Sequence, residues 1–199
     1  GAMKTMARRL KTVGLAATLV LGALVVGPAG LADAQQSDRH WVGTWTTAPV
    51  AQAAAGNNST GFNNQTLRQI VRVSLGGSEL RVRLSNTFGT KTVTVGATHV
   101  ALREKGAAVK PASDRTLTFG GATRVTLWPG AVILSDAVKL DVPALAELAI
   151  SVYLPGDVPA SLPITFHGTA KQTNYVSPSG DHTAAVAMPV GATKQSWYF

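Results

Sequence analysis

The stretch that decides the fold is "QTLRQIVRVSLGGSELRVRLSN", residues 65–86. Apolar and polar residues alternate on both sides of the glycine pair Gly76-Gly77. Successive side chains of a β-strand point to opposite faces, so this period of two predicts two half-buried strands. A glycine turn between two alternating runs is typical of a β-hairpin. The outward face of the predicted hairpin carries a basic row, either solvated or suited to an anionic ligand: Arg68, Arg72, Arg81 and Arg83.

The same pattern of short runs separated by Gly and Pro turn signals continues along the chain. Further strands are predicted within residues 91–104, 115–121, 123–136, 148–156 and 163–177. We therefore predict an all-β fold, an antiparallel and jelly-roll-like β-sandwich of about eight strands. A doubly wound parallel sheet is excluded, because parallel strands need long crossover connections.

The N-terminal segment has the pattern of a secretory signal. A basic region precedes the apolar run Val13–Val26, whose 14 residues are too few to span a bilayer. The small-x-small pattern Ala32-Asp33-Ala34 follows it. We predict a cloning scar and signal peptide over residues 1–34, a β-sandwich domain over residues 35–199, secretion to an extracellular or periplasmic compartment, and no membrane attachment after cleavage.

Charge and residue content exclude several classes of partner. The net charge is +8, and removal of four basic residues and Asp33 with the signal lowers it to +5. The basic residues are spread out, so a nucleic-acid partner is not expected. The chain has no cysteine, and its four histidines stand in no metal-ligand spacing, so neither a metal site nor a cofactor is expected.

The motifs of a serine hydrolase are missing from the sequence. Neither G-x-S-x-G nor G-D-S occurs, although a nucleophile elbow needs small residues beside its serine. Asp181 and His182 are adjacent, and neighbours on an extended chain point to opposite sides, so we interpret them as a polar turn. No residue is assigned as catalytic.

Four residues are candidates for binding a ligand. His167 ends an apolar run beside Gly168, where a ligand can approach closely; the alternative is a hydrogen-bonded structural histidine. Trp41, Trp45 and Trp128 have flat faces that suit sugar rings; the alternative is that Trp41 and Trp45 are core residues of an edge strand.

The sequence ends on three aromatic residues, Trp197–Phe199. Three adjacent aromatic side chains have a large apolar surface that a frayed terminus leaves in water. We therefore expect them to pack against a second domain.

Several blocks of the chain, in order, resemble the N-terminal β-domain of secreted two-domain bacterial SGNH (GDSL-type) hydrolases. The most specific are "RVRLSNTFG", residues 81–89, and "LAISVYLPG", residues 148–156, and the resemblance extends over residues 41–199. In that family a β-sandwich precedes an α/β/α hydrolase domain, which opens soon after an aromatic "WYF" segment. The family's catalytic residues belong to that second domain, so none is carried over to a position here.

Three functional hypotheses remain open. The resemblance implies a non-catalytic accessory domain of a secreted carboxylic ester hydrolase that deacylates carbohydrate or short-chain esters, with the C-terminal hydrolase domain of the same polypeptide as its partner. The second hypothesis is a free-standing carbohydrate-binding module, with polysaccharide as its partner. The third is an enzyme of another class whose site forms only in three dimensions. Packing of Trp197–Phe199 separates the first two, because a truncated domain is expected to expose them.

Overall fold

A computed structural model describes residues 40–53 and 59–199 of the chain. Residues Val42–Phe199 form one compact unit, and of the separate unit Gly1–Trp41 only His40 and Trp41 are described. The predicted signal peptide lies outside the described residues. Within the two described ranges, no helix is long and apolar enough to cross a membrane.

The all-β prediction is confirmed. The described chain forms sixteen strands, and the 3-10 turn Pro111–Ser113 is the one helical element among them. Strands are more numerous than predicted, because alternating runs such as residues 79–86 divide where the chain passes from one sheet to another. The strands are β1 Val50–Ala51, β2 Phe62–Arg72, β3 Gly77–Leu80, β4 Arg83–Ser85, β5 Val93–Val95, β6 Thr98–Lys105, β7 Ala108–Val109, β8 Arg115–Thr116, β9 Val125–Leu127, β10 Val132–Leu134, β11 Val138–Val142, β12 Glu147–Val158, β13 Thr165–His167, β14 Asn174–Ser179, β15 Ala192–Lys194 and β16 Trp197–Tyr198.

The strands pair antiparallel in one large sheet and several small ones. The large sheet has seven strands in the order β15-β14-β2-β12-β6-β7, with β8 also paired to β6. The small sheets are β1-β13-β16, β4-β10, β3-β11 and β5-β9. One apolar cluster joins a face of the large sheet to the small sheets, so the molecule is built as a sandwich. The large sheet supplies residues such as Leu67, Val100 and Val152, and the small sheets supply residues such as Leu84 and Leu127.

The prediction of a β-hairpin within residues 65–86 is wrong. Strand β2 pairs with β12 and β14, whereas β3 pairs with β11 and β4 pairs with β10. The alternation identified β2, but the run after the glycine pair is divided between β3 and β4, and the glycine pair carries the chain from the large sheet to a small one. The reason lies in the burial of β2: all six residues from Thr66 to Val71 are buried, as in a central strand covered on both faces.

The second face of the large sheet is covered by the chain around residues 107–109 and 182–188. It holds a small apolar cluster of Ile70, Ala101, Val109 and Ala149, against which Tyr175 packs. Beside this cluster the ladders align Arg68, Ser151, His99 and Thr116 in one row across four strands. Arg68 therefore lies inside the protein, 1% exposed, and the prediction that it belongs to an outward basic row is wrong.

The turn that follows β4 is held by a buried asparagine. Asn86 Nδ2 donates to the carbonyls of Lys91 (2.9 Å) and Leu127 (3.1 Å). A Cβ at Gly89 would overlap the Asn86 side-chain oxygen, so only glycine fits there. The block "RVRLSNTFG" thus encodes a strand and the turn that closes it.

Candidate functional site

The pair β13–β16 presents two different faces. Phe166 pairs with Tyr198, and His167 pairs with Trp197. Because side chains alternate along a strand, Phe166 and Tyr198 share one face while His167 and Trp197 share the other. The ring contacts agree: Phe166 and Tyr198 stack with centroids 6.2 Å apart, and those of His167 and Trp197 are 5.8 Å apart.

Strand β16 is fastened to the core by the side chain of Gln69. Gln69 Oε1 accepts from the Tyr198 amide (2.5 Å), and Gln69 Nε2 donates to the Tyr198 carbonyl (2.9 Å). The Phe199 amide donates to the Thr165 carbonyl at 3.1 Å. Tyr198 is 4% exposed, and Trp197 and Phe199 are half-buried against the main cluster. The three aromatics therefore pack on this domain, with Trp197 and Phe199 left partly exposed.

His167 is held by hydrogen bonding and aromatic packing. Its Nδ1 lies 2.8 Å from the carbonyl oxygen of Ala48. A carbonyl only accepts, so Nδ1 carries the proton in this contact. Trp197 lies between His167 and Trp45, whose ring meets Trp197 edge-on with centroids 5.0 Å apart. The structure thus gathers two of the four predicted binding residues around Trp197.

The other two predicted residues lie elsewhere. Trp128 is 63% exposed and stands in the turn between β9 and β10. Trp41 is 43% exposed and falls outside the compact unit Val42–Phe199. Within the described residues, Trp128 joins none of the ring contacts around Trp197.

A small cavity opens on the Phe166 side of the β13–β16 pair. It has a volume of about 210 Å³, and its wall is formed by Thr60, Phe166, Gly168, Thr169, Lys194, Ser196 and Tyr198. Lys194 Nζ donates to the Thr60 hydroxyl at 3.1 Å. The lining of the cavity thus includes two aromatic residues, one lysine and three Ser or Thr residues.

The loop after β13 forms part of the cavity wall and is conformationally strained. Thr169 and Lys171 adopt left-handed backbone conformations with φ of 56° and 52°. Such conformations cost a non-glycine residue about 1 kcal/mol or more, and they cluster at ligand sites. The Ala170 amide, between them, donates to the Gln195 carbonyl at 2.9 Å and ties the loop to the chain before β16.

A second polar array lies on the other face of the large sheet. His99 Nδ1 is 2.9 Å from Asp114 Oδ2, and His99 Nε2 is 3.3 Å from the Thr116 hydroxyl. Carboxylate, imidazole and hydroxyl follow in the order of a hydrolytic triad. The hydroxyl belongs to a β-branched side chain in the ladder directly opposite His99.

Arg68 lies in the same row and is the most unusual charge in the protein. Its Nε donates to Ser151 Oγ (2.8 Å), and its guanidinium donates to the carbonyls of Ala107 (2.6 Å) and Thr183 (3.1 Å). Burial lowers the pKa of Arg68 to about 10, against the opposing effect of the Asp114 carboxylate. The side chain stays charged at neutral pH and pins the two covering segments to the sheet.

Sequence reasoning missed both the cavity and the His99 array. Thr60 and Lys194 are 134 residues apart, and His99 and Asp114 are 15 apart, so no local spacing connects them. The alternation around His99 indicated its strand, but the pairing of β6 with β8 decides its neighbours. Among the described residues, no group of three or more His, Asp or Glu side chains is placed to hold a metal ion.

No protein-family model matches this chain, and a comparison with curated proteins finds no significant match.

Proposed function

We propose that this chain is a non-catalytic accessory β-sandwich of a secreted SGNH-type carboxylic ester hydrolase. Its partner is the C-terminal hydrolase domain of the same polypeptide, and the whole enzyme deacylates carbohydrate or short-chain esters. The proposal starts from the resemblance of residues 41–199 to the N-terminal domain of that family.

The observation that carries the proposal is where the most specific blocks lie in the fold. Residues 148–156 belong to β12, which pairs with β2 on one side and β6 on the other at the centre of the large sheet. Residues 81–89 form β4 and the turn held by Asn86. Both blocks form strands and a turn of the β-sandwich. This is expected if the residues that carry the resemblance maintain the fold of an accessory domain rather than a reactive site.

The test is hydrolysis of p-nitrophenyl acetate by the purified chain against a matched blank. No turnover above the blank is expected. Saturable turnover that disappears in His99→Ala would overturn the proposal, because His99 is the one described histidine with both a carboxylate and a hydroxyl within 3.5 Å of its ring nitrogens. The variants His167→Ala and His182→Ala are the matched controls, since their ring nitrogens contact backbone carbonyls instead.

The packing of Trp197–Phe199 on this domain favours a second candidate, a free-standing carbohydrate-binding module. For such a module we propose Trp128 as the stacking face, because its indole is the most exposed large apolar side chain of the described chain. Affinity electrophoresis in gels containing soluble polysaccharides is expected to retard the protein but not Trp128→Ala. Leu145→Ala is the control, because Leu145 is similarly exposed at 59% and has no ring to stack. Equal retardation of both variants would remove Trp128 from the proposal.

A further inference from the structure

We propose that the cavity beside β13 and β16 binds a single carboxylated sugar unit, of the hexuronate class. Its aromatic wall, its cation and its hydroxyls each match one part of such a ligand. The inference stands apart from the accessory role, because that role assigns no ligand to this domain.

The charge of the cavity suits one negative charge. Lys194 is the only cation in its lining, and within the described residues no carboxylate lies within ion-pair distance of Lys194. Its bond to the Thr60 hydroxyl holds the ammonium at the cavity wall and uses one of its three donors. A phosphate carries nearly two charges at neutral pH, so a single ammonium matches a carboxylate better.

The hydroxyls and the aromatic wall suit a sugar ring. Hydroxyl groups donate and accept, as sugar hydroxyls do, and three Ser or Thr residues line the cavity: Thr60, Thr169 and Ser196. The structure gives the Thr169 and Ser196 side-chain hydroxyls no partner among the described residues, so they are available to a ligand. The Phe166 ring, stacked on Tyr198, offers an apolar surface to the carbon face of the ring.

The cavity has room for one sugar unit. Its volume of about 210 Å³ is several times the roughly 30 Å³ that one water molecule occupies in the liquid, which is the scale of one monosaccharide. Thr169 in the wall has a left-handed backbone, and Gly168 leaves room for the Phe166 ring, because a Cβ there would come to 3.0 Å from it.

Isothermal titration of the full chain with sodium glucuronate, glucose and sodium acetate tests the inference. Glucuronate is expected to bind saturably, and glucose and acetate each at least tenfold more weakly, because each lacks part of the recognised chemistry. The ligand could be a free sugar acid or chain end, or it could be part of a polysaccharide, and a galacturonate trimer distinguishes these sources. If the trimer binds with the same affinity as the monosaccharide, the ligand is a free sugar acid or a chain end. If the trimer binds more tightly, the ligand is a polysaccharide. Either result supports the site.

Two substitutions in the cavity wall test whether glucuronate binds there. Lys194→Gln is expected to weaken glucuronate binding at least tenfold, and Ser196→Ala about threefold without touching the Lys194–Thr60 bond. The control Lys139→Gln removes an exposed lysine of β11 and is expected to bind normally. The inference fails if neither glucuronate nor the trimer saturates the protein, if glucose binds as tightly as glucuronate, or if both Lys194→Gln and Ser196→Ala bind normally. Thermal unfolding of each variant establishes that it is folded.

Discussion

At the scale of single residues, Arg68 shows how an alternating pattern can mislead. Because Arg68 lies opposite the apolar face of β2, the pattern predicted that its side chain faces solvent. Chain segments from two other parts of the sequence cover the face on which Arg68 lies. Both covering segments present carbonyl oxygens to the guanidinium. A planar group with five donors can satisfy several fixed acceptors at once, which suits arginine to this place.

We expect Arg68→Met to destabilise the protein by about 3 kcal/mol or more, because it leaves the Ala107 and Thr183 carbonyls without their donor inside the protein. Urea unfolding measures the change in the free energy of unfolding. Arg72→Met on the same strand is the control, because Arg72 is exposed, and we expect a change within about 0.5 kcal/mol. Equal effects of the two substitutions would show that Arg68 does not hold the covering segments.

Asp136 gives the stability of the fold a pH dependence. Its carboxylate accepts from the Thr118 hydroxyl (2.6 Å) and from the amides of Gly121 (2.8 Å) and Gly120 (3.2 Å). The Thr118 hydrogen bond is the largest cause of a pKa below the ordinary value of 3.8. The depressed pKa means that the ionised carboxylate adds stability above the unfolded pKa and that this contribution is lost as the pH falls through the folded pKa.

Thermal melts of Asp136→Asn therefore measure the contribution of this carboxylate. We expect the variant to melt below the wild type at neutral pH, and the difference to shrink on acidification to about pH 2.5. Asp141→Asn, which removes a carboxylate at an exposed position of β11, is the control. A difference for Asp136→Asn that is constant with pH would contradict this account.

At the scale of secondary structure, β16 shows how a side chain can take the place of a strand. On its free edge β16 bonds to the amide of Gln69, whose two polar atoms match the backbone of Tyr198 in the way a neighbouring strand would. The Trp197 indole adds a bond to the Ile70 carbonyl at 2.8 Å. These contacts hold the β13–β16 pair against β2 and therefore determine the position of the cavity that the pair lines.

We expect Gln69→Ala to loosen β16 while leaving the large sheet formed. Hydrogen–deuterium exchange of a C-terminal peptide containing Tyr198 and Phe199 is expected to become about tenfold faster, because the Tyr198 amide loses its acceptor. Gln195→Ala is the control, because its side chain is exposed just before β16. Unchanged exchange in Gln69→Ala would mean that aromatic packing alone holds the strand.

At the scale of the whole molecule, one apolar cluster unites the large sheet with the small ones. Members of this cluster come from β2, β6 and β12 of the large sheet and from β4, β5, β9 and β11 of the small sheets. The small sheets have two or three strands each, too few to be stable in isolation. Their stability therefore depends on the shared core.

We expect the chain to unfold in urea in one cooperative transition. Tryptophan fluorescence reports mainly on the region around Trp45 and Trp197, whereas far-ultraviolet circular dichroism reports on all the strands. Coincident curves are expected, because no small sheet keeps its apolar face covered once the core opens. Two separated transitions would show that the β13–β16 region unfolds by itself.

Local patterns of the amino-acid sequence are enough to predict an all-β protein and the positions of most of its strands. A period of two depends only on neighbouring residues, so the alternations around Val71, Val100 and Val152 are readable locally. The Pro129-Gly130 signal also marked the turn between β9 and β10.

The pairing of the strands, the burial of polar residues and the position of the cavity depend on contacts between distant parts of the chain. Every strand offers the same backbone donors and acceptors, so its partner is chosen by which apolar faces can be buried together, and β2 meets β12 and β14 from far along the chain. Arg68 is buried because distant segments cover it, and Lys194 meets Thr60 because β15 and the chain before β2 come together. These contacts join residues that are far apart in the sequence. Burial of the shared apolar core brings them together, so no local run of sequence predicts them.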